Sequence, residues 1–137
     1  MITFSNGYKL DFACAAGALA FDGNGWPHEW PLRWLGIIRP QELTFVTKTL
    51  TWDERKGNFE YLRPWRSVRY LGKGSFVNAI GNTNPGIGNW YNNIRPKIKL
   101  KRYAVSIEPH NVKEASDMAD LLNLMPKEQI AYIELNA

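Results

Sequence analysis

The run YAVSI at Tyr103–Ile107, then NVKEASDMADLLNLMP over residues 111–126, then AYIELN over residues 131–136, decides the fold class. The first run is apolar, β-branched and aromatic, and reads as a buried strand. Asn111 opens the clearest helix. Val112, Ala115, Met118, Ala119 and Leu122 recur at helical spacing, and Glu114 stands three residues after Asn111 as a capping partner. Pro126 ends the helix, and residues 131–136 read as a closing strand. A strand, a helix and a strand in quick succession form a crossover unit whose two strands lie parallel.

The same grammar extends towards the N-terminus. Residues 1–4 and 8–12 flank Ser5-Asn6-Gly7, a hairpin signal. Residues 12–16 form an apolar run ending at Gly17 and read as a buried strand. Residues 22–31, with Trp26-Pro27 and Trp30-Pro31, read as a loop, and 32–38 as a short helix. LTFVTKT at 43–49 reads as a strand. Residues 52–66 are polar and irregular. Residues 67–71 and 75–79 read as short strands around Gly72-Lys73-Gly74. NTNPGIG at 82–88 is a loop, and 89–95 a short helix stopped by Pro96.

The expected class is α/β, with strands apolar on both faces as a helix-covered parallel sheet requires. The chain has 137 residues and reads as one domain. A complete (β/α)8 barrel takes about 250 residues. The final strand has no helix after it, so the expectation is the first half of such a barrel, cut rather than finished.

Composition narrows the function. Apolar residues make up 45% and charged residues 22%, which is globular. There is no apolar run of membrane-spanning length and no signal peptide at the start, so a cytoplasmic protein without a membrane partner is expected. The single cysteine, Cys14, rules out a disulfide framework and a multi-cysteine metal site, and reads as a small core residue. The formal charge of +4 is uneven: residues 61–107 hold 9 basic side chains and no acidic one. Together with the tryptophans near Trp65-Arg66, that basic middle permits a nucleic-acid-binding module; solvated loops explain it equally well. His28 and His110 are isolated beside prolines, no metal set is formed, and no phosphate-loop or dinucleotide fingerprint occurs. Glu114, Asp117 and Asp120 lie on the solvated face of the last helix.

In barrels, function sits where strands end at their C-terminal side. Four such loci occur here: Ala15-Ala16-Gly17, Thr47-Lys48-Thr49, Asn78-Ala79-Ile80-Gly81 and Glu134-Leu135-Asn136. Lys48 ends an otherwise apolar strand. Either its ammonium faces the strand-end cleft and offers a fixed charge to an anion, or it snorkels to solvent. Asn78 and Asn136 are strand-end amides that can donate and accept at once.

In order and spacing these loci resemble the dihydroorotate dehydrogenases, FMN-dependent (β/α)8 barrels. Thr47-Lys48-Thr49 with Glu54-Arg55 and Gly57-Asn58 is similar to that family's second strand and following loop. Asn78-Ala79-Ile80-Gly81 with Asn84-Pro85-Gly86 resembles its substrate-binding segment, and Ile133-Glu134-Leu135-Asn136 its "ELN" strand. The resemblance runs from about Phe12 to the last residue.

It implies an oxidoreductase that passes a hydride from dihydroorotate to FMN, yielding orotate, in pyrimidine biosynthesis. Lys48 would stand near the flavin N1/O2 edge and contact substrate. Ala16, Gly17, Thr49 and Asn136 would line the flavin. Asn78 and Asn136 would hydrogen-bond the pyrimidine ring, and the backbone N–H groups of Ile80, Gly81 and Asn82 would cradle the substrate carboxylate. The soluble class and a homodimer of the full protein are implied, without metal, membrane or nucleic acid. Ala16 stands where the family has Ser, and Asn82 where it has Leu or Phe. The family's Ser-Cys-Pro-Asn, which holds the base, would follow Ala137, so this chain by itself is expected to be inactive. Two other readings remain: the pyrimidine-reducing domain of dihydropyrimidine dehydrogenases, and a noncatalytic basic nucleic-acid module.

Overall fold

The computed structural model describes residues 1–58 and 63–136. The crossover unit forms as its sequence dictates. Strand β5 (Tyr103–Ile107) is buried at all five positions. It pairs in parallel with β6 (Ile130–Leu135), Val105 opposite Ile133 and Ile107 opposite Leu135. Helix α3 (Val112–Asn123) connects them. Asn111 Oδ1 accepts the Glu114 N–H at 2.9 Å. Glu114 Oε2 in turn accepts the His110 N–H at 3.0 Å, so the reciprocal bond of the cap closes one residue before the expected one.

The buried stripe of α3 centres on Met118 and Leu122, while Val112 is 87% exposed. At roughly 100° per residue, Val112 lies about 80–120° round the axis from those two side chains, at the edge of the stripe. It therefore stays in solvent, contrary to its expected place on the apolar face.

Residues 44–50 lie beside β5 in parallel, bridged at Val46–Ala104 and Leu50–Ile107, and residue Ala13 bridges Thr44, also in parallel. Four extended segments thus stand side by side in chain order. The ladder is interrupted because side chains replace some of its carbonyls. Cys14 Sγ accepts the Val46 N–H at 3.3 Å, and Thr47 Oγ1 accepts the Ser106 N–H at 3.0 Å. The segment 44–50 is buried except at Lys48. The two outer segments are not: Phe12 is 72% exposed, and of β6 only Ala131 is buried. Buried strands were expected at 12–16 and 131–136. Each of these has a neighbour on one side only among the described residues, which leaves its other flank open.

Elsewhere the expectations hold in part. A hairpin joins β1 (Ile2–Thr3) to β2 (Lys9–Leu10). The Trp-Pro pairs begin helices instead of lying in a loop: Pro27 opens a 3₁₀ turn, and Pro31 sits in the first turn of α1 (Trp30–Trp34). Proline needs no N–H there. Gly36, at φ 70°, ends that run short of the expected 38. Helix α2 (Ile87–Asn89) runs on through a wider turn over Trp90–Ile94. Pro96 does not stop the chain at once but enters a final 3₁₀ turn, Arg95–Lys97. Trp90 fastens this segment to the core. It is fully buried, its indole N–H donates to Phe21 O at 2.9 Å, and its ring meets Tyr103 edge-on at 6.4 Å.

Strands β3 (Val68–Gly72) and β4 (Ser75–Asn78) pair antiparallel in a separate hairpin with both faces largely exposed. The irregular stretch expected at 52–66 lies partly outside the described residues. No helix among the described residues is long and apolar enough to cross a membrane.

Candidate functional site

Lys48 follows four buried residues of the second parallel segment. Its backbone N–H donates to Ala20 O at 2.9 Å. The turn carrying Gly17 (φ 81°) passes directly over its stem, where a Cβ on residue 17 would lie 3.1 Å from Lys48 Cγ. Gly17 is therefore required twice, for its left-handed backbone and for the missing side chain. The Lys48 ammonium is half-buried. It donates to Thr83 O at 2.7 Å and Asn82 Oδ1 at 3.2 Å, and lies 5.6 Å from the Phe21 ring centre. The ammonium is thus tied to the Asn82–Thr83 loop. Burial pushes the Lys48 pKa down, and the charge of Glu108 works against that.

Glu108 follows β5 directly and binds outward from the same cluster. Its Oε2 accepts from Asn82 Nδ2 at 2.8 Å and its Oε1 from Arg55 Nη1 at 3.0 Å. Arg55 Nη2 also meets His110 Nε2 at 3.3 Å. Asn82 is the junction, held at φ 46°, a conformation costly for a side-chain-bearing residue.

The loop that presents Asn82 is held at both ends. Asn84 is 3% exposed. Its Oδ1 accepts from Thr51 N at 3.2 Å and Gly86 N at 2.9 Å, and its Nδ2 donates to Asn82 O at 2.8 Å. Arg55 and Asn84 also exchange backbone bonds in an antiparallel bridge. On the other side Asn58 N donates to Ile80 O at 2.8 Å and Asn58 Nδ2 to Ala79 O at 3.0 Å.

The structure thus brings Gly17, Lys48 and Asn82 together, with Ile80 and Gly81 on the adjoining turn. Ala16 is exposed at the entrance to that turn. Thr49 turns inward: its hydroxyl meets Ser106 Oγ at 3.0 Å, which donates to Glu134 Oε1 at 2.8 Å. Asn78 and Asn136 are exposed. Asn78 Oδ1 accepts the Ile80 N–H at 3.4 Å, and the Asn136 N–H donates to Ile107 O at 2.9 Å. Cys14 sits inside the parallel array with its thiol pKa pushed up by burial.

Sequence reading missed Glu108 as a site residue and treated His110 as isolated. The rule that singled out Lys48, a charged residue ending an apolar strand, applies equally to Glu108 after YAVSI. Two surface hollows, of about 610 and 510 Å³, are open and lie along 22–34 and 36–43, apart from this cluster. Among the described residues no group of three or more His, Cys, Asp or Glu side chains is placed to hold a metal. No family model matches the chain, and no curated protein shows a significant match to it.

Proposed function

We propose that this chain is the first half of a (β/α)8 barrel in an FMN-dependent, dihydroorotate dehydrogenase-like oxidoreductase. The observation that carries the reading is Lys48. A lysine at the end of a buried strand is held half-buried, beneath a glycine turn and against the Asn82–Thr83 loop. The four parallel segments in chain order support the barrel, and the ends of the first three, at Gly17, Lys48 and Glu108, meet in this cluster.

The residues suit the pyrimidine edge of a flavin. The two hydrogen bonds of Lys48 Nζ use two of its three donors, and Gly17 lays bare backbone against the Lys48 stem, where a Cβ would lie 3.1 Å from Cγ. A bound flavin would supply the hydride acceptor for the oxidation of dihydroorotate at C6, and a base would take the C5 proton. Lys48 supplies a fixed positive charge where negative charge develops. The Ile80–Asn82 turn can present N–H groups to the substrate carboxylate, and Asn78 and Asn136 can pair with the ring. The reading assigns the base and the flavin phosphate site to later strands of the barrel. Cys14 is no candidate base, because its sulfur is tied to Val46 N–H within the array.

The exposed Tyr70–Phe76 pair, with ring centres 5.0 Å apart beside Arg69 and Lys73, favours a second reading as a basic module that stacks nucleic-acid bases. One experiment separates the two. The whole gene product is purified, its flavin absorbance recorded, and its anaerobic bleaching by dihydroorotate compared with that of Lys48→Ala. The oxidoreductase reading expects bound FMN and a reduction rate lowered about 10²-fold or more in the variant. A protein that takes up no flavin, or whose reduction slows less than threefold, refutes it.

A further inference from the structure

The side chains of Asn82 and Glu108 have no role in the chemistry so far, yet they connect Lys48 to the rest of the site. Both oxygens of Glu108 are engaged, one by Asn82 Nδ2 at 2.8 Å and one by Arg55 Nη1 at 3.0 Å. A carboxylate so held is a poor base. Asn82 spends both ends of its amide, accepting from Lys48 Nζ at 3.2 Å and donating to Glu108. It does so from φ 46°, where glycine would sit without strain. Asparagine takes this conformation more readily than other side-chain-bearing residues, and its amide adds the bridge that glycine would lack.

We propose that Asn82 and Glu108 are positioning residues: the Asn82 amide couples the Glu108 carboxylate to the Lys48 ammonium, fixing its direction and holding it charged in a half-buried site. The importance of this for catalysis rests on the proposed role of Lys48; the coupling itself does not. The charged and titratable groups facing the cluster come from three elements. They are Glu108 and His110 after β5, Arg55 on the loop after residue 50, and Glu134 on β6, whose carboxylate takes the Ser106 hydroxyl instead. Glu108 is thus the acidic group connected to Lys48 through a single side chain.

The test reads Lys48 directly and needs neither cofactor nor turnover. The whole gene product is labelled with acetic anhydride across a pH series, and Lys48 acetylation is followed by peptide mass spectrometry. Only the uncharged amine reacts, so losing the coupled carboxylate raises labelling at a fixed pH below the titration midpoint. Glu108→Gln keeps an acceptor for Asn82 without the charge. Asn82→Gly relieves the strained φ while deleting the bridge, so a merely structural Asn82 predicts equal or greater stability and unchanged labelling. The proposal expects at least about threefold faster Lys48 labelling in each variant, with other lysines unchanged and no further gain in the double variant. Wild-type labelling in a folded Asn82→Gly overturns it. If Glu108→Gln unfolds because Arg55 loses its partner, Asn82→Gly alone decides. Faster labelling alongside a Lys48→Ala enzyme that still reduces flavin normally would uphold the coupling and sink only the assigned role of Lys48.

Discussion

Replacing Asn84 by alanine strands two buried donors. The side chain makes four hydrogen bonds at once: its oxygen accepts from the N–H groups of Thr51 and Gly86, and its Nδ2 donates to Asn82 O and the Thr51 hydroxyl oxygen. Thr51 and Asn84 are 2% and 3% exposed, and Gly86 is buried as well. The Thr51 hydroxyl retains a partner in Asp53 O at 2.6 Å, so its loss is modest. The N–H groups of Thr51 and Gly86 lose their shared acceptor in a place that water reaches poorly. Each unsatisfied buried donor costs about 1–3 kcal/mol, so Asn84→Ala should cost roughly 2–5 kcal/mol. Against a total of about 5–15 kcal/mol, that is a large fraction of the stability. Urea unfolding followed by tryptophan fluorescence measures it, since Trp90 is fully buried and reports its own exposure. Asn93→Ala, on the exposed face of the turn after α2, is the control and should stay within about 0.5 kcal/mol of wild type. A loss below about 1 kcal/mol for Asn84→Ala would falsify the argument that this amide clamps the loop carrying Asn82.

Two other outcomes follow from the geometry. Tyr103 has its phenol pushed up to about 12 by burial, above its unfolded value near 10. The stability it lends is complete below about pH 10 and is lost as pH rises towards about 12, so Tyr103→Phe should flatten the alkaline fall in urea midpoints; an unchanged fall would mean other groups cause it. Asn78→Ala leaves the fold intact because the residue is exposed, yet should cost about 1–3 kcal/mol in kcat/KM for dihydroorotate at unchanged FMN content; loss of FMN instead would make Asn78 a cofactor or scaffold residue.

The legible parts of the sequence were those whose partners lie close along the chain. YAVSI, the Asn111 cap and the Gly72-Lys73-Gly74 turn are each specified by a few neighbouring residues, and each stands where it was read. Lys48 was legible because a charge at the end of an apolar strand conflicts with its surroundings. Pairing across the chain was not. Nothing local indicates that Arg55 will meet Glu108, or that the thiol of Cys14 and the hydroxyl of Thr47 will stand in for ladder carbonyls. Those replacements break up the strand expected at 43–49, which its β-branched residues indicate as continuous. The Trp-Pro pairs misled for another reason: proline interrupts a helix but also begins one well, and spacing alone does not separate the two uses.

The β3–β4 hairpin has a practical consequence. Gly72, Lys73 and Gly74 all have positive φ at its tip, and a Cβ added at either glycine would meet open space. Both strands are largely exposed, and Ala79 N to Ser67 O closes the stem at 2.8 Å. Trypsin should therefore nick the chain after Lys73 before it reaches the basic residues near β5. The same tip is the natural place to splice in an epitope or a fluorescent reporter, because added length there spreads into solvent and leaves the parallel segments and the Lys48 cluster undisturbed.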